Sequence, residues 1–178
     1  GMTAGHNGTH FFLASSDGSF LLELQGQIQV RYIYNDREAS SDDGEFGMQI
    51  RRPKIQFAGH MASPKLHYAV QLSVAQGDNS LSADKIVIGY DLTDDLYIWA
   101  GEDKAPFLRE ELTSSSRQLA VERSLINEVF TVDKAQGVGL TWTSDMVKVA
   151  GMVHDGAHSG DGDATLSDIS VYSGLAPS

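Results

Sequence analysis

Period-two alternation of apolar and polar residues near the N-terminus limits the fold more than any other feature of this chain. Between Leu22 and Tyr34, apolar side chains fall on one face of an extended segment. The opposite face carries Glu23, Gln25, Gln27, Gln29 and Arg31. Alternation of this length predicts a β-strand, because successive side chains of a strand point to opposite sides.

The rest of the chain repeats this pattern in shorter segments. Turn signals recur about every ten to fifteen residues, which predicts an all-β antiparallel meander of about eight strands. The second strand, near residues 46–60, changes phase at Arg51-Arg52-Pro53, so we expect a β-bulge there. Residues 1–16 are rich in Gly, His, Asn, Ser and Thr, and we expect a flexible lead-in before one domain over residues 17–178.

One long segment, from Gly101 to about Gln136, breaks the alternation, and we call it the insertion. Charged residues of both signs crowd together in it. Pro106 is expected to open a short helix that continues to Leu112, and a second helix is expected from Arg117 to about Glu128. A long charged insertion between short strands is where function is usually carried.

Composition and motifs exclude several classes of function. The 178 residues include no cysteine, so disulfides and thiolate metal sites are absent. A net charge of −11 argues against a nucleic-acid partner, although it leaves room for a local basic strip. The chain lacks the motifs of serine hydrolases, phosphate-cradling loops and zinc proteases, so we expect neither an enzyme nor a cofactor.

Alternating Asp and Gly residues between His154 and Asp163 raise the question of a cation site. Carboxylates are the ligands that calcium prefers, and the two histidines are ligands for zinc. The segment lacks the glutamate that closes an EF-hand loop. We therefore expect a flexible acidic hairpin loop and no metal site.

Alternation does not say which face of the sheet is inside. A soluble barrel or sandwich turns its apolar face inward, whereas an outer-membrane barrel turns it toward lipid and lines a wet lumen with the polar face. The polar faces are rich in Gln and Arg, and aromatic residues such as Tyr32, Tyr90 and Trp142 lie near strand ends. Such aromatic residues suit lipid interfaces, but the pattern alone leaves both arrangements open.

The insertion resembles a characteristic segment of the phosphate-selective porins of the O and P type. The matching residues are Lys104-Ala105-Pro106-Phe107, Glu110-Glu111-Leu112-Thr113-Ser114-Ser115 and Glu122-Arg123-Ser124-Leu125. The paired Arg51 and Arg52, and Gly26 in the first strand, also resemble this family. The resemblance covers roughly residues 18–144.

This resemblance implies a porin-like antiparallel meander β-barrel of the bacterial outer membrane, often trimeric, with a partly helical third loop that folds into the lumen. The implied function is passive passage of small solutes, with anions such as phosphate as partners and membrane lipid around the barrel. By position, the resemblance implies anion binding by Arg51, Arg52, Lys104, Arg117, Arg123 and Arg31. The alternative is that the cations of the insertion pair with its own acidic residues.

The family's barrel has sixteen strands, and those strands with their loops would need roughly twice this length. Two arrangements therefore stay open: a portion of a larger barrel, or a small closed barrel of about eight strands. The interior of an eight-stranded barrel is filled by side chains, so the small barrel would be a ligand-binding or structural module without transport. A soluble β-sandwich that binds a ligand is a further alternative.

Overall fold

Over the residues that the structure describes, the fold is a single antiparallel sheet with two short helices. The computed structural model describes residues 1–35, 45–74, 80–113, 124–131, 134–156 and 168–175. The strands are β1 (Met2–His6), β2 (Phe11–Ser15), β3 (Leu21–Asn35), β4 (Glu45–Met61), β5 (Ser63–Val74), β6 (Leu81–Asp91), β7 (Leu96–Lys104), β8 (Lys134–Thr143), β9 (Val147–His154) and β10 (Asp168–Leu175). The helices α1 (Arg109–Leu112) and α2 (Leu125–Phe130) lie between β7 and β8.

Each strand pairs with the next in sequence, so the sheet order is β1 to β10 without a crossover. The predicted antiparallel meander is confirmed, with ten strands among the described residues where about eight were expected. In this part of the chain β1 and β10 do not pair with each other. The sheet therefore curls around a cavity without closing on itself.

The structure differs from the flexible lead-in expected at residues 1–16. These residues form the hairpin of β1 and β2, and β2 pairs with β3. The side-chain oxygen of Asn7 accepts hydrogen bonds from the backbone of Thr9 at 3.0 Å and of His10 at 2.8 Å. Asparagine and glycine, which we interpreted as signs of a loose tail, here make a tight turn.

The connections differ in length between the two ends of the sheet. Consecutive antiparallel strands alternate in direction, so every second connection emerges at the same end. From β3 onward, the connections at one end cover residues 36–44, 75–80, 105–133 and 155–167, and the short turn of residues 7–10 lies at the same end. Those at the other end cover residues 16–20, 62, 92–95 and 144–146. Long loops at one end and short turns at the other are typical of outer-membrane barrels.

One of the short turns is fixed by an acidic side chain. In residues 16–20, the hydroxyl of Ser15 donates to Asp17 Oδ1 at 2.5 Å, and the backbone and hydroxyl of Ser19 donate to the same oxygen. These hydrogen bonds stabilise the charged carboxylate. They lower the pKa of Asp17 from 3.8 to about 2.

The bulge predicted at Arg51-Arg52-Pro53 is confirmed. Gln27 pairs with Lys54 and Gln29 pairs with Arg51, so two residues of β4 lie opposite the single Ile28 of β3. Arg52 has a φ of 53°, a left-handed conformation that is rare outside glycine. Such a bulge changes the direction of the side chains that follow it.

A second bulge occurs in β6. Gln71 of β5 pairs with Lys85 and Leu72 pairs with Ala83, which leaves Asp84 as an extra residue. As a result Asp84 and Lys85 both contribute to the cavity on the concave side of the sheet, although they are consecutive in sequence.

The apolar face of the sheet points outward. Ile88 is 49% exposed, whereas its neighbour Val87, which lines the concave side, is 7% exposed. Further exposed residues of the outer face are Ile28, Val30, Ile50, Ile55, Ile86, Val138, Leu140, Ile169 and Val171. Among the described residues, no helix is long and apolar enough to cross a membrane. Of the two arrangements left open by alternation, the structure adopts the one used in lipid.

The small core lies on the concave face and contains aromatic rings that rest on glycines. Val87, Trp99, Ala105, Ala135 and Met152 form the buried cluster, and Tyr97 packs against it. Trp99 lies over its cross-strand partner Gly139, where an added Cβ would overlap the indole. Tyr97 covers Gly89 and Phe12 covers Gly5 in the same manner. The absence of a side chain at these glycines leaves room for the large rings against the sheet.

Replacing Gly139 by alanine is expected to lower the free energy of unfolding by about 1–3 kcal/mol, because the new methyl group overpacks against Trp99. The measurement is guanidinium unfolding of the protein folded in detergent. Gly26→Ala is the matched control, since nothing lies within 4 Å of a Cβ at that position of β3. Equal losses for the two variants would contradict the packing role of Gly139.

Candidate functional site

The concave face of the sheet forms an open cavity of about 660 Å³, which we call the trough. Strand residues from Gln27 on β3 to Tyr172 on β10 line it. The insertion, which the strand limits reduce to residues 105–133, covers one side of it with Pro106, Arg109, Leu112 and Thr113. The prediction that the insertion folds inward is therefore confirmed for these four residues.

The trough is basic although the chain as a whole is acidic. Among the described residues, six of the chain's 13 Lys and Arg line it, against two of its 24 Asp and Glu. The cations are Lys54, Lys85, Lys104, Arg109, Lys134 and Lys148, and the anions are Asp84 and Asp103. The local excess is thus four positive charges, which is the basic strip that the net charge left open.

Hydrogen bonds around Glu111 hold the insertion in place. The ammonium of Lys104 donates to the backbone oxygen of Glu111 at 2.7 Å and lies 3.0 Å from its carboxylate. Asn127 of α2 donates to the other carboxylate oxygen at 2.8 Å. Glu110 accepts from the backbone and hydroxyl of Ser124, the residue that caps α2. Both helices are thereby tied to the end of β7.

The described part of the insertion contains two short helices. The first was expected from Pro106 to Leu112, and α1 covers only its last turn. The second was expected from Arg117 to about Glu128; α2 covers Leu125–Phe130, and residues 117–123 lie outside the described residues. Ser124 has an extended backbone and caps α2, because its hydroxyl accepts from the backbone of Asn127 at 3.2 Å.

The structure places the residues that the resemblance singled out in different surroundings. Lys104 lines the trough, but it pairs with Glu111 as the ion-pair alternative expected. Arg31 donates to Gln49 at 2.7 Å, and Arg52 donates to Gln29 at 3.1 Å, both on the polar side of β3 and β4 beyond the lining of the trough. Arg51 lies in β4 opposite Gln29, and its side chain is outside the described part of the structure, as are Arg117 and Arg123. Anion binding by these six residues stays a prediction.

Sequence reasoning missed the lysines of the strands. Lys54, Lys85, Lys134 and Lys148 line the trough, and none of them was selected. The position of each lysine in the apolar–polar alternation of its strand could have identified it. Lys54 shares its face of the strand with Gln56, and Lys148 lies between the exposed residues Val147 and Val149. Once the polar face is known to be concave, this phase alone assigns both lysines to the cavity.

Most lysines of the trough are paired with acids. Lys54 and Lys134 both contact Asp84. Lys85 lies 2.5 Å from Asp103. In contrast, Arg109 and Lys148 have no ion pair with the residues that the structure describes. These two cations are therefore the ones whose charge is least compensated inside the trough.

The described residues contain no group of three or more acidic or histidine side chains arranged to hold a metal ion. His154, from the segment considered for a cation, is buried and lies 2.9 Å from the hydroxyl of Ser170. Its other ring nitrogen accepts from the backbone of Gly156 at 3.2 Å. The rest of that segment, residues 157–163, is outside the described residues.

In a comparison with known families, the chain matches phosphate-selective porin O and P over residues 22–173. The matched region begins in β3 and ends in β10, so it contains every strand of the trough and the insertion. Comparisons with curated proteins and with solved structures give no match. Because the match covers most of the 178 residues, this chain belongs to the phosphate-selective porin O and P family of outer-membrane channel proteins.

Proposed function

We propose that this porin passes small anions, phosphate among them, through the trough. The observation that carries the proposal is the local excess of cations, which collects four net positive charges on the concave face of a chain whose net charge is −11. An acidic protein gains nothing in solubility from gathering its lysines on an inner surface. Such a surface instead attracts anionic solutes and raises their local concentration.

The apolar outer face of the sheet supports the proposal that the protein lies within a lipid bilayer. The exposed rings of Tyr32 and Tyr90 lie near opposite ends of the strands. Strand pairing places Leu21 level with Gly89, and Tyr90 lies one residue further from Tyr32, so these rings are about twelve residues apart along the strands. At about 3.3 Å per residue this is roughly 40 Å along a strand, or about 28 Å across a sheet tilted by about 45°. The apolar band of outer-membrane barrels has about this height.

The chemistry of the lining suits passage rather than storage. A permeant anion needs sites favourable enough to replace water but weak enough to release it again. Lysine acts as a strongly hydrated point charge, and acids beside Lys54, Lys85 and Lys134 moderate its attraction. Arg109 on the insertion and Lys148 on β9 are proposed to make the main contacts with the solute. We also propose that five arginines guide anions toward the trough: Arg31, Arg51, Arg52, Arg117 and Arg123. Assembly into a homo-oligomer is a further part of this proposal.

The test is charge selectivity in planar bilayers. With a potassium chloride gradient, the wild-type protein is expected to conduct and to give a reversal potential of anion-preferring sign. Replacing Arg109 and Lys148 together by glutamate is expected to reduce the anion preference severalfold or to reverse it, because four units of charge change inside the trough.

Lys65→Glu is the control, because this exposed lysine of β5 lies outside the trough. The variant is expected to leave the selectivity almost unchanged. A wild-type channel that prefers cations, or one that ignores the double substitution, would refute anion passage through the trough. A second variant with Arg51 and Arg52 replaced by alanine measures what the paired arginines add.

A further inference from the structure

The carboxylate of Asp84 is surrounded by three donors from three different strands. One oxygen contacts the ammonium of Lys134 on β8. The other contacts Lys54 on β4 and accepts from the side-chain amide of Gln71 on β5 at 2.6 Å. Only 8% of the Asp84 side chain is exposed, whereas Lys54 and Lys134 are 22% and 28% exposed.

The bulge in β6 places this carboxylate in the trough. Without the extra residue, Asp84 and Lys85 would point to opposite faces, and one of them would meet the apolar outer surface. Lys54 and Lys134 lie two strands away on either side of β6, and each reaches across an intervening strand toward Asp84. Donors that converge on one point from both sides form a site. The alternation of side chains along any single strand does not predict such a convergence.

The donors match the shape of a carboxylate. Each of the two oxygens receives an ammonium, and one also receives an amide hydrogen. Charge-assisted hydrogen bonds of this kind are the strong ones in proteins. We propose that Lys54, Lys134 and Gln71 form a binding site for small carboxylate solutes, which the tethered carboxylate of Asp84 occupies as a resident counterion.

This inference rests on the proposed function and adds a solute class to it. A free carboxylate such as formate offers the same two oxygens, and it must displace Asp84 to use the site. Because Asp84 is tethered beside the lysines, its effective concentration is high, so free carboxylates bind the wild-type site weakly and leave quickly. Asp84 thereby keeps carboxylate solutes from blocking the trough.

The experiment opens the site by replacing Asp84 with alanine. In planar bilayers, formate or acetate is expected to block the chloride current of Asp84→Ala at concentrations at least about tenfold below those needed for the wild type, since each ion gains charge-assisted hydrogen bonds. Formate is also expected to raise the thermal unfolding midpoint of the refolded variant more than chloride does at equal ionic strength. Asp84→Asn, which keeps the side-chain size, serves if the alanine variant does not fold.

Asp103→Ala is the matched control, since it removes one negative charge from the same trough. Among the described residues, Asp103 contacts the ammonium of one lysine, Lys85, accepts from the backbone of Lys104, and is 26% exposed. This variant is expected to gain anion preference without gaining sensitivity to formate. Equal formate block in both variants, or equal effects of formate and chloride on Asp84→Ala, would overturn the proposed site.

The block of the chloride current and the thermal shift by formate test the pore and the carboxylate site separately. If the wild-type protein does not conduct, anion passage fails, and the thermal shift of Asp84→Ala by formate still decides whether the carboxylate site exists. If the wild type conducts anions and Asp84→Ala responds to formate no more than the control does, the site is wrong while the proposed function stands.

Discussion

Replacing Lys54 and Lys134 together by methionine is expected to lower the free energy of unfolding by about 3 kcal/mol. The substitution leaves the buried carboxylate of Asp84 with the side-chain amide of Gln71 as the remaining one of the three donors described above, and an uncompensated buried charge is costly. Methionine keeps the length and the apolar stem of lysine, so packing changes little. Guanidinium unfolding in detergent or lipid vesicles measures the effect.

The decisive control adds Asp84→Asn to the double variant. If charge is the cause, the triple variant is expected to recover most of the lost stability, because no buried charge is left without a partner. Lys148→Met removes a lysine of the trough that has no ion pair with the described residues, and it is expected to cost little. A triple variant no more stable than the double would show that lost packing, and not Asp84, explains the effect.

The strands and the first bulge were predictable because they are local properties. Residues 22–34 show the two-residue side-chain period of a strand. A change of phase in the alternation beside Pro53 has few explanations other than a bulge. The insertion was predictable for the same reason, since it is where the alternation stops. The hairpin of residues 2–15 escaped prediction because its short strands depend on pairing with β3.

The direction of the apolar face could not be predicted from alternation, because soluble and lipid-facing sheets use the same period. Family resemblance favoured an apolar face toward lipid, and the exposed outer face of the structure agrees with it.

The site around Asp84 could not be predicted for a different reason. It depends on the register of β5 and β6 and on lysines about 30 and 50 residues away in sequence, which are non-local relations. The resemblance drew attention to arginines, and of its three residues whose side chains the structure describes, Lys104 lines the trough whereas Arg31 and Arg52 do not.

Replacing Ile55 by arginine is expected to destabilise the folded protein in a lipid bilayer by about 2–4 kcal/mol. Ile55 is exposed on the outer face of β4 and pairs with Gly26, which lies about midway between Leu21 and Tyr32. At that height an arginine would face the middle of the hydrocarbon layer. The free energy of unfolding from phospholipid vesicles measures the cost.

Gln56→Arg is a stringent control because it places the same side chain one residue further along the same strand. Gln56 lines the trough, so the new guanidinium would meet water and the polar lining. We expect this variant to fold with little loss of stability and to strengthen the preference for anions. If arginine were tolerated at Ile55 and destabilising at Gln56, the apolar face would be the inner one, and both the lipid-facing orientation and the conducting trough would be refuted together.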